Sequence, residues 1–247
     1  MATADGIVRV EEDAAWLALA GPIVDAGALQ TLLDACTEVG DDASVRVLVV
    51  TGAAAGTFVT GAVLRDEAEH GLAARAVAAL AGLRTPTIAA LAGPAHAIGL
   101  EIALACDLRV AAADATFAMP QLAAGTLPFC GGTQRLPRIV GRARALDLLL
   151  TGRIIDAGEA AAWGLVARRA AAATLAVETA ALARDVAAGA PLAAALAKEA
   201  LLAAHDLPLA EGLRLEEDLY ALLQTSADRA EGIRAFLAGR RPRFAGR

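Results

Sequence analysis

Apolar positions along the chain change period several times, and each change marks an element. After Asp25, a residue suited to cap a helix, Leu29, Leu32, Leu33, Cys36 and Val39 recur at helical spacing, and Gly40 is placed to close the helix. Val45 to Thr51 then reads Val-Arg-Val-Leu-Val-Val-Thr, a β-branched run of the kind buried in a parallel sheet. A glycine-bounded loop, Gly52 to Gly61, follows, and an alanine-rich helix is predicted from about Val63 to Ala81. The plan recurs as a strand at Thr87–Ala92, a loop at Gly93–Ile98 and a helix at Gly99–Cys106. A third strand at Leu108–Ala112 leads past Phe117 to the loop Pro120–Gly132. Successive strand, glycine loop and helix units predict an α/β architecture with ligand chemistry at the loops where strands end. Their spacing is too uneven to define a sequence repeat.

From Arg142 onward the strand signal nearly disappears. Helical patterns cover Ala145–Leu150, Ala157–Trp163, Leu175–Ala188, Leu192–Ala204, Leu209–Gln224 and Arg229–Leu237. Gly189–Pro191 is the best joint between a core (1–189) and a helical region (190–247). The last three helices carry more alanine and leucine than a small appendage can cover, so they are expected to pack on another subunit; folding back on their own core is the alternative.

An apolar content of 57% with a mean hydropathy of +0.53 raises the question of a membrane. The most lipid-like stretch, Thr87–Cys106, contains Pro94, His96 and Glu101, and a spanning helix would bury that glutamate across a proline break. A buried strand, turn and helix fits it better. Met1 to Gly6 lacks a basic segment followed by an apolar core, so a cytoplasmic location is expected. The formal charge of −6 disfavours a nucleic-acid partner. The basic cluster Arg240-Arg241-Pro242-Arg243 is read as a solvated tail, with contact to a ligand phosphate as the alternative.

Cys36, Cys106 and Cys130 are odd in number and lack metal-type spacing, which predicts buried reduced thiols. His70, His96 and His205 are scattered, so no metal site is expected. The two serines, Ser44 and Ser226, lie outside any Gly-x-Ser-x-Gly elbow. The one lysine, Lys198, excludes a phosphate loop ending in Gly-Lys-Ser/Thr.

The segment from Pro86 to Asp107 ends a strand in a glycine-bracketed turn and opens a helix at Ile98. Unpaired amides at a helix start, with the positive end of the dipole, suit a developing oxyanion. Glu101 lies three residues on, on the same helical face, where an acid or base would stand beside the developing charge. A glutamate that merely favours the first helical turn is the competing reading.

Here the chain resembles the crotonase, or enoyl-CoA hydratase/isomerase, family, from about Val45 to Arg247. The resemblance is carried by Thr85-Pro-Thr-Ile-Ala-Ala90, Leu100-Glu-Ile-Ala-Leu-Ala-Cys-Asp-Leu-Arg109 and Gly131-Gly-Thr-Gln-Arg-Leu-Pro-Arg-Ile-Val-Gly141. Leu150-Thr-Gly-Arg153, Ala162-Trp-Gly-Leu-Val166 and Glu231-Gly-Ile-Arg-Ala-Phe236 add to it. It implies a ββα spiral core, a C-terminal helical trimerisation region, and a homotrimer or dimer of trimers. It also implies an acyl-CoA substrate, with coenzyme A arriving as part of that substrate and no separate cofactor. The oxyanion donors would be the amides of Thr60 and Ile98, with Thr60, Gly61, Ala62, Ile98 and Gly99 against the substrate. Because the donors are backbone groups, the side chains of Thr60 and Ile98 need not abolish the site. Losing one such donor costs about 3 to 4 kcal/mol of transition-state stabilisation.

Departures from the family pattern matter as much. Of the two glutamates of the family's hydratases, the first matches Glu101, and the second position holds Gln121, which cannot exchange a proton near neutral pH. Phe129 and Val63 stand where relatives place acids, and the Asn-Arg-Pro-like segment is missing from Ala20–Gly27. A hydratase-like lyase with Glu101 as base and Gln121 as a water-orienting neighbour ranks first. A one-base isomerase is next, then a hydrolase or decarboxylase of the same fold, and last a catalytically weak member kept for binding or assembly.

Overall fold

The computed structural model describes residues 2–3, 6–11 and 13–247, with side chains described for Glu11 and from residue 13 onward. The chain start, on which the absence of a leader was read, lies partly outside the described residues. Two strands, β1 (Ala2–Thr3) and β2 (Gly6–Glu11), precede a unit that repeats four times: one long strand, one very short strand and one helix. The turns are β3 (Ala14–Leu19), β4 (Ile23–Val24) and α1 (Ala26–Asp41); then β5 (Val47–Gly52), β6 (Gly61–Ala62) and α2 (Glu67–Gly82). Next come β7 (Thr87–Leu91), β8 (Ala95–His96) and α3 (Ile98–Ala105), and finally β9 (Leu108–Ala112), β10 (Thr116–Ala118) and α4 (Gly132–Val140). A 3₁₀ turn at Pro120–Ala124 interrupts the last of these.

The long strands build one seven-stranded sheet in the order β1-β2-β3-β5-β7-β9-β12, where β12 is Arg168–Ala170. From β3 to β12 the pairing is parallel, with Val49 opposite Ile88 and Ala90 opposite Val110. The short strands pair among themselves, β4 with β6 and β8 with β10, so each turn adds one strand to each wall of a spiral. This is the α/β spiral core expected. Burial explains the apolar runs: all of Thr87–Leu91 and Val47–Val50 lie inside, and every residue of α3 is buried. Thr87–Cys106 is thus strand, turn and helix, and among the described residues no single helix is long and apolar enough to cross a membrane.

After α4 come α5 (Arg142–Thr151), β11 (Ile155–Asp156), α6 (Ala157–Ala162), β12, α7 (Leu175–Ala187), α8 (Pro191–Ala203), α9 (Leu209–Gln224) and α10 (Ala227–Leu237). The helices fall where the pattern put them, but two strands in this half were not expected. β11 is two residues long, and β12 reads Arg-Arg-Ala with both arginines exposed, so neither carries a period to detect. The hairpin β2–β3 was likewise not anticipated. α2 begins at Glu67 rather than Val63, because the Asp66 side chain accepts from the Glu69 N–H at 2.9 Å and sets the helix start there.

α7 packs on the large sheet, and α8 starts at Pro191 after the expected joint. Lys198 of α8 forms an ion pair with Asp107 at 2.7 Å, and Arg46 of the core donates to the Phe244 carbonyl at 2.6 Å, so the C-terminal region is tied back to its own core by polar contacts. Its apolar side chains nevertheless face out: Leu201, Leu209, Phe236 and Leu237 are each more than 70% exposed. The three cysteines are free and buried, and burial pushes each thiol up to about 12.

Candidate active site

The second and third turns of the spiral meet where the candidate residues lie. The Val59 carbonyl accepts from the His96 N–H at 3.0 Å, which fastens the Phe58–Ala62 loop to the turn before α3. Gly99 makes the approach possible, since a Cβ there would overlap the Val59 carbonyl. Gly61 and Ala62 form β6, which lies against α3. Thr60, Gly61, Ala62, Ile98 and Gly99 are therefore brought together, as the sequence suggested.

Ile98 is the first residue of α3, and the first helical ladder bond is Glu101 N–H to the Ala97 carbonyl, 3.2 Å. The amides of Ile98, Gly99 and Leu100 precede that bond and start the helix with the positive end of its dipole. The turn that aims them is strained: Ala97 has φ +49 and ψ −122, a conformation glycine tolerates and alanine does not.

The Thr60 amide differs from expectation. It donates to the Pro22 carbonyl at 2.7 Å, and the Thr60 hydroxyl lies 3.2 Å from the same oxygen. This donor is engaged within the fold by the strand pairing that begins at Ile23, so it does not stand free for a ligand oxygen. Spacing from Phe58 alone could not show which amide of the loop the neighbouring strand would take.

Glu101 is fully buried, at 1% exposure. Its Oε1 accepts two backbone hydrogen bonds, from Cys130 N–H at 2.7 Å and Gly132 N–H at 2.9 Å. Both come from the turn into α4, which approaches because Gly132 has no side chain: a Cβ there would press on Met119, Pro128 and the Glu101 Cγ. Burial pushes the Glu101 carboxyl above its ordinary range; the amides of Gly132 and Cys130, the Arg135 guanidinium and the Phe129 amide pull it back. These amides belong to the turn into α4 and not to the first turn of the helix that carries Glu101.

β10 pairs with β8 in register, Ala118 opposite His96, and the Ala97 N–H donates to the Ala118 carbonyl at 3.1 Å. That pairing carries Met119 to Gln121 alongside the start of α3. Gln121 is half-buried, and its Oε1 is buried with no hydrogen-bond partner in the protein. An orphaned acceptor of this kind calls for water or a ligand. Val63 and Phe129 remain exposed, at 60% and 43%. His96 is turned to the Thr116 hydroxyl at 3.0 Å, and burial lowers its proton affinity.

Two cavities lie along α3 and α4. One of about 250 Å³ is apolar and bounded by Met119, Gly132, Leu136, Pro137, Ala145 and Leu149, next to the wall that holds Glu101. A larger one, about 740 Å³, lies at the opposite end of α3, between α4 and α8. Among the described residues no group of three or more His, Cys, Asp or Glu is placed to hold a metal ion.

Residues 23–247 match the family model of enoyl-CoA hydratase/isomerase. The chain belongs to the enoyl-CoA hydratase/isomerase family. Within it, the protein named "Probable enoyl-CoA hydratase echA8" of Mycobacterium bovis is 40% identical over 223 residues, covering 87% of this chain and 86% of that protein. A mitochondrial enoyl-CoA hydratase domain-containing protein 2 of Bos taurus is also 40% identical, over 228 residues, with 87% of this chain and 77% of that protein covered. In three dimensions an enoyl-CoA hydratase of Bacillus anthracis superimposes with a TM-score of 0.95 at 31% identity, over 98% of this chain and 100% of that one. The enoyl-CoA hydratase/isomerase fold therefore extends over nearly the whole chain. Arg135 and the amides of Cys130 and Gly132 were not singled out from the sequence as parts of the site. They lie in the Cys130-Gly-Gly-Thr-Gln-Arg135 segment, where the residue types give no hint that a loop amide meets a distant glutamate.

Proposed function

We propose that the protein hydrates 2-enoyl-CoA thioesters, with Glu101 as the proton carrier. The observation that supports this best is a buried carboxylate held by two amides, one helical turn from the unladdered N–H of Ile98. The thioester oxygen would lie against the Ile98 amide and an amide of Gly61–Ala62, in place of the Thr60 donor. Oε1 is engaged by the turn, which leaves Oε2 to meet the reactants. Glu101 takes a proton from water as the water oxygen bonds to the β-carbon; the α-carbon then receives that proton as the enolate collapses. Gln121 has the free acceptor needed to hold the water. The apolar cavity beside Met119 and Leu136 suits the acyl tail.

Isomerisation is a second reading, favoured by one observation: Gln121 cannot titrate, so a single base must carry the proton. In that case Glu101 removes a proton from one carbon of the acyl chain and returns it to another, with no water consumed. The exposed leucines and Phe236 of α8, α9 and α10 support assembly into a trimer or a dimer of trimers. The deciding experiment offers crotonyl-CoA and a 3-enoyl-CoA of matched length to the purified protein. Appearance of 3-hydroxyacyl-CoA supports hydration; a shifted double bond without hydration supports isomerisation; neither product refutes both.

A further inference from the structure

Three successive peptide groups join Phe129 to Gly132. The first carries the Cys130 N–H and the third the Gly132 N–H, and these two donate to Glu101 Oε1. The carbonyl of the middle one, on Cys130, accepts from Arg135 Nη1 at 2.8 Å. Gly131 lets the arginine in: it has φ +97, and a Cβ at this position would overlap the Arg135 guanidinium. The Arg135 backbone N–H also donates to the Gly131 carbonyl at 2.9 Å, so both ends of the residue grip one turn.

We propose that Arg135 is a positioning residue for Glu101, fixing the middle peptide so that the two flanking amides stay aimed at the carboxylate. Its importance for turnover rests on the reading of Glu101 as the proton carrier; the grip itself does not. The electrostatics agree with the geometry. Among the described residues Arg135 is the charged group that acts on Glu101. Cys130, in the same turn, is a neutral thiol pushed up to about 12; His96 on β8 faces Thr116; Met119 and Gln121 do not titrate; and α3 has no other titratable side chain. Burial lowers the proton affinity of the Arg135 guanidinium, with Glu101 acting the other way, and a guanidinium remains cationic through the working range.

The test is NMR on the intact protein with labelled glutamate side chains and backbone amides, Glu101 assigned through Glu101→Gln. In Arg135→Gln the Cys130 and Gly132 amide resonances should move and the Glu101 titration midpoint should rise. The acid limb of the rate profile should rise with it, and kcat should fall by ~10 to 10²-fold while KM changes little, as for a misplaced catalytic group. Arg138→Gln removes the same charge one turn further on, where Arg138 contacts Gln134 and Asp206, and should move none of these. Should Arg135→Gln not fold, Arg135→Lys is read in its place: charge is kept and the planar fork is lost, so the amides move while the midpoint stays. Unmoved amides in the variant read, or an equal shift in Arg138→Gln, overturn the proposal. If the wild type shows no acyl-CoA turnover, the proposed function fails and the NMR still decides the grip.

Discussion

Replacing Ala97 by glycine should stabilise this protein. Ala97 occupies φ +49 and ψ −122, the first corner of a turn that glycine adopts freely, and it immediately precedes α3. A non-glycine residue held in such a region costs about 1 to 3 kcal/mol. Glycine gives back some of this by loosening the unfolded chain, about 0.4 to 1 kcal/mol. At the position before a helix glycine is no worse than alanine, and Ala97 makes no side-chain cap bond that would be lost. The net is a gain of about 1.3 kcal/mol, from the midpoints of those two ranges. For a chain of this size that raises Tm by ~3 to 5 °C. Thermal unfolding at matched protein concentration, followed by circular dichroism, measures it. A Tm for Ala97→Gly at or below that of the wild type would refute the strain argument. Ala97→Val should move the other way, because a β-branched residue resists positive φ.

Three further expectations follow from the same geometry. Gln121→Glu restores a second carboxyl beside Glu101 and should raise crotonyl-CoA hydration by ~10² to 10⁴-fold, falling off at high pH as the acid form is lost; an unchanged rate counts against hydration and favours the one-base isomerase. The outward apolar faces of α8, α9 and α10 predict a trimer or hexamer in sedimentation velocity, and a monomer at micromolar concentration would refute it. Burial holds the Glu101 carboxyl above its unfolded value, so its contribution to stability is full below the ordinary carboxylate range and is lost as pH rises through the raised folded value. Glu101→Gln keeps an oxygen acceptor for Cys130 and Gly132 and has no proton to lose. Its denaturation midpoint should therefore gain on the wild type as pH rises from about 4, the carboxylate reference value, up through the raised folded value; a constant difference refutes the buried-carboxyl account.

Much of this architecture was legible because long elements carry long patterns. Val47–Val50 and Thr87–Leu91 are continuous apolar runs buried in the parallel sheet, and Asp25 caps α1 as its position suggested, accepting from Ala28 at 2.9 Å. The fourfold recurrence of strand, short strand and helix was not legible, since β4, β6 and β8 are two residues each and two residues have no period. The site divides in the same way. Ile98 and Glu101 lie on one helix, where spacing determines geometry. The loss of the Thr60 donor to Pro22 and the approach of Cys130 and Gly132 depend on contacts between segments far apart in the chain. Arg135 drew attention only as part of a motif, and its partner is a carbonyl that no sequence pattern marks.

The central claim is that Glu101 moves the proton, and single-turnover kinetics of Glu101→Gln test it most directly. With the best acyl-CoA substrate found for the wild type, turnover should fall by at least ~10²-fold while acyl-CoA affinity stays within about threefold, the signature of a group that acts mainly in the transition state. A variant that turns over at the wild-type rate would show that Glu101 only holds the turn into α4, and the mechanism proposed for this site would be wrong.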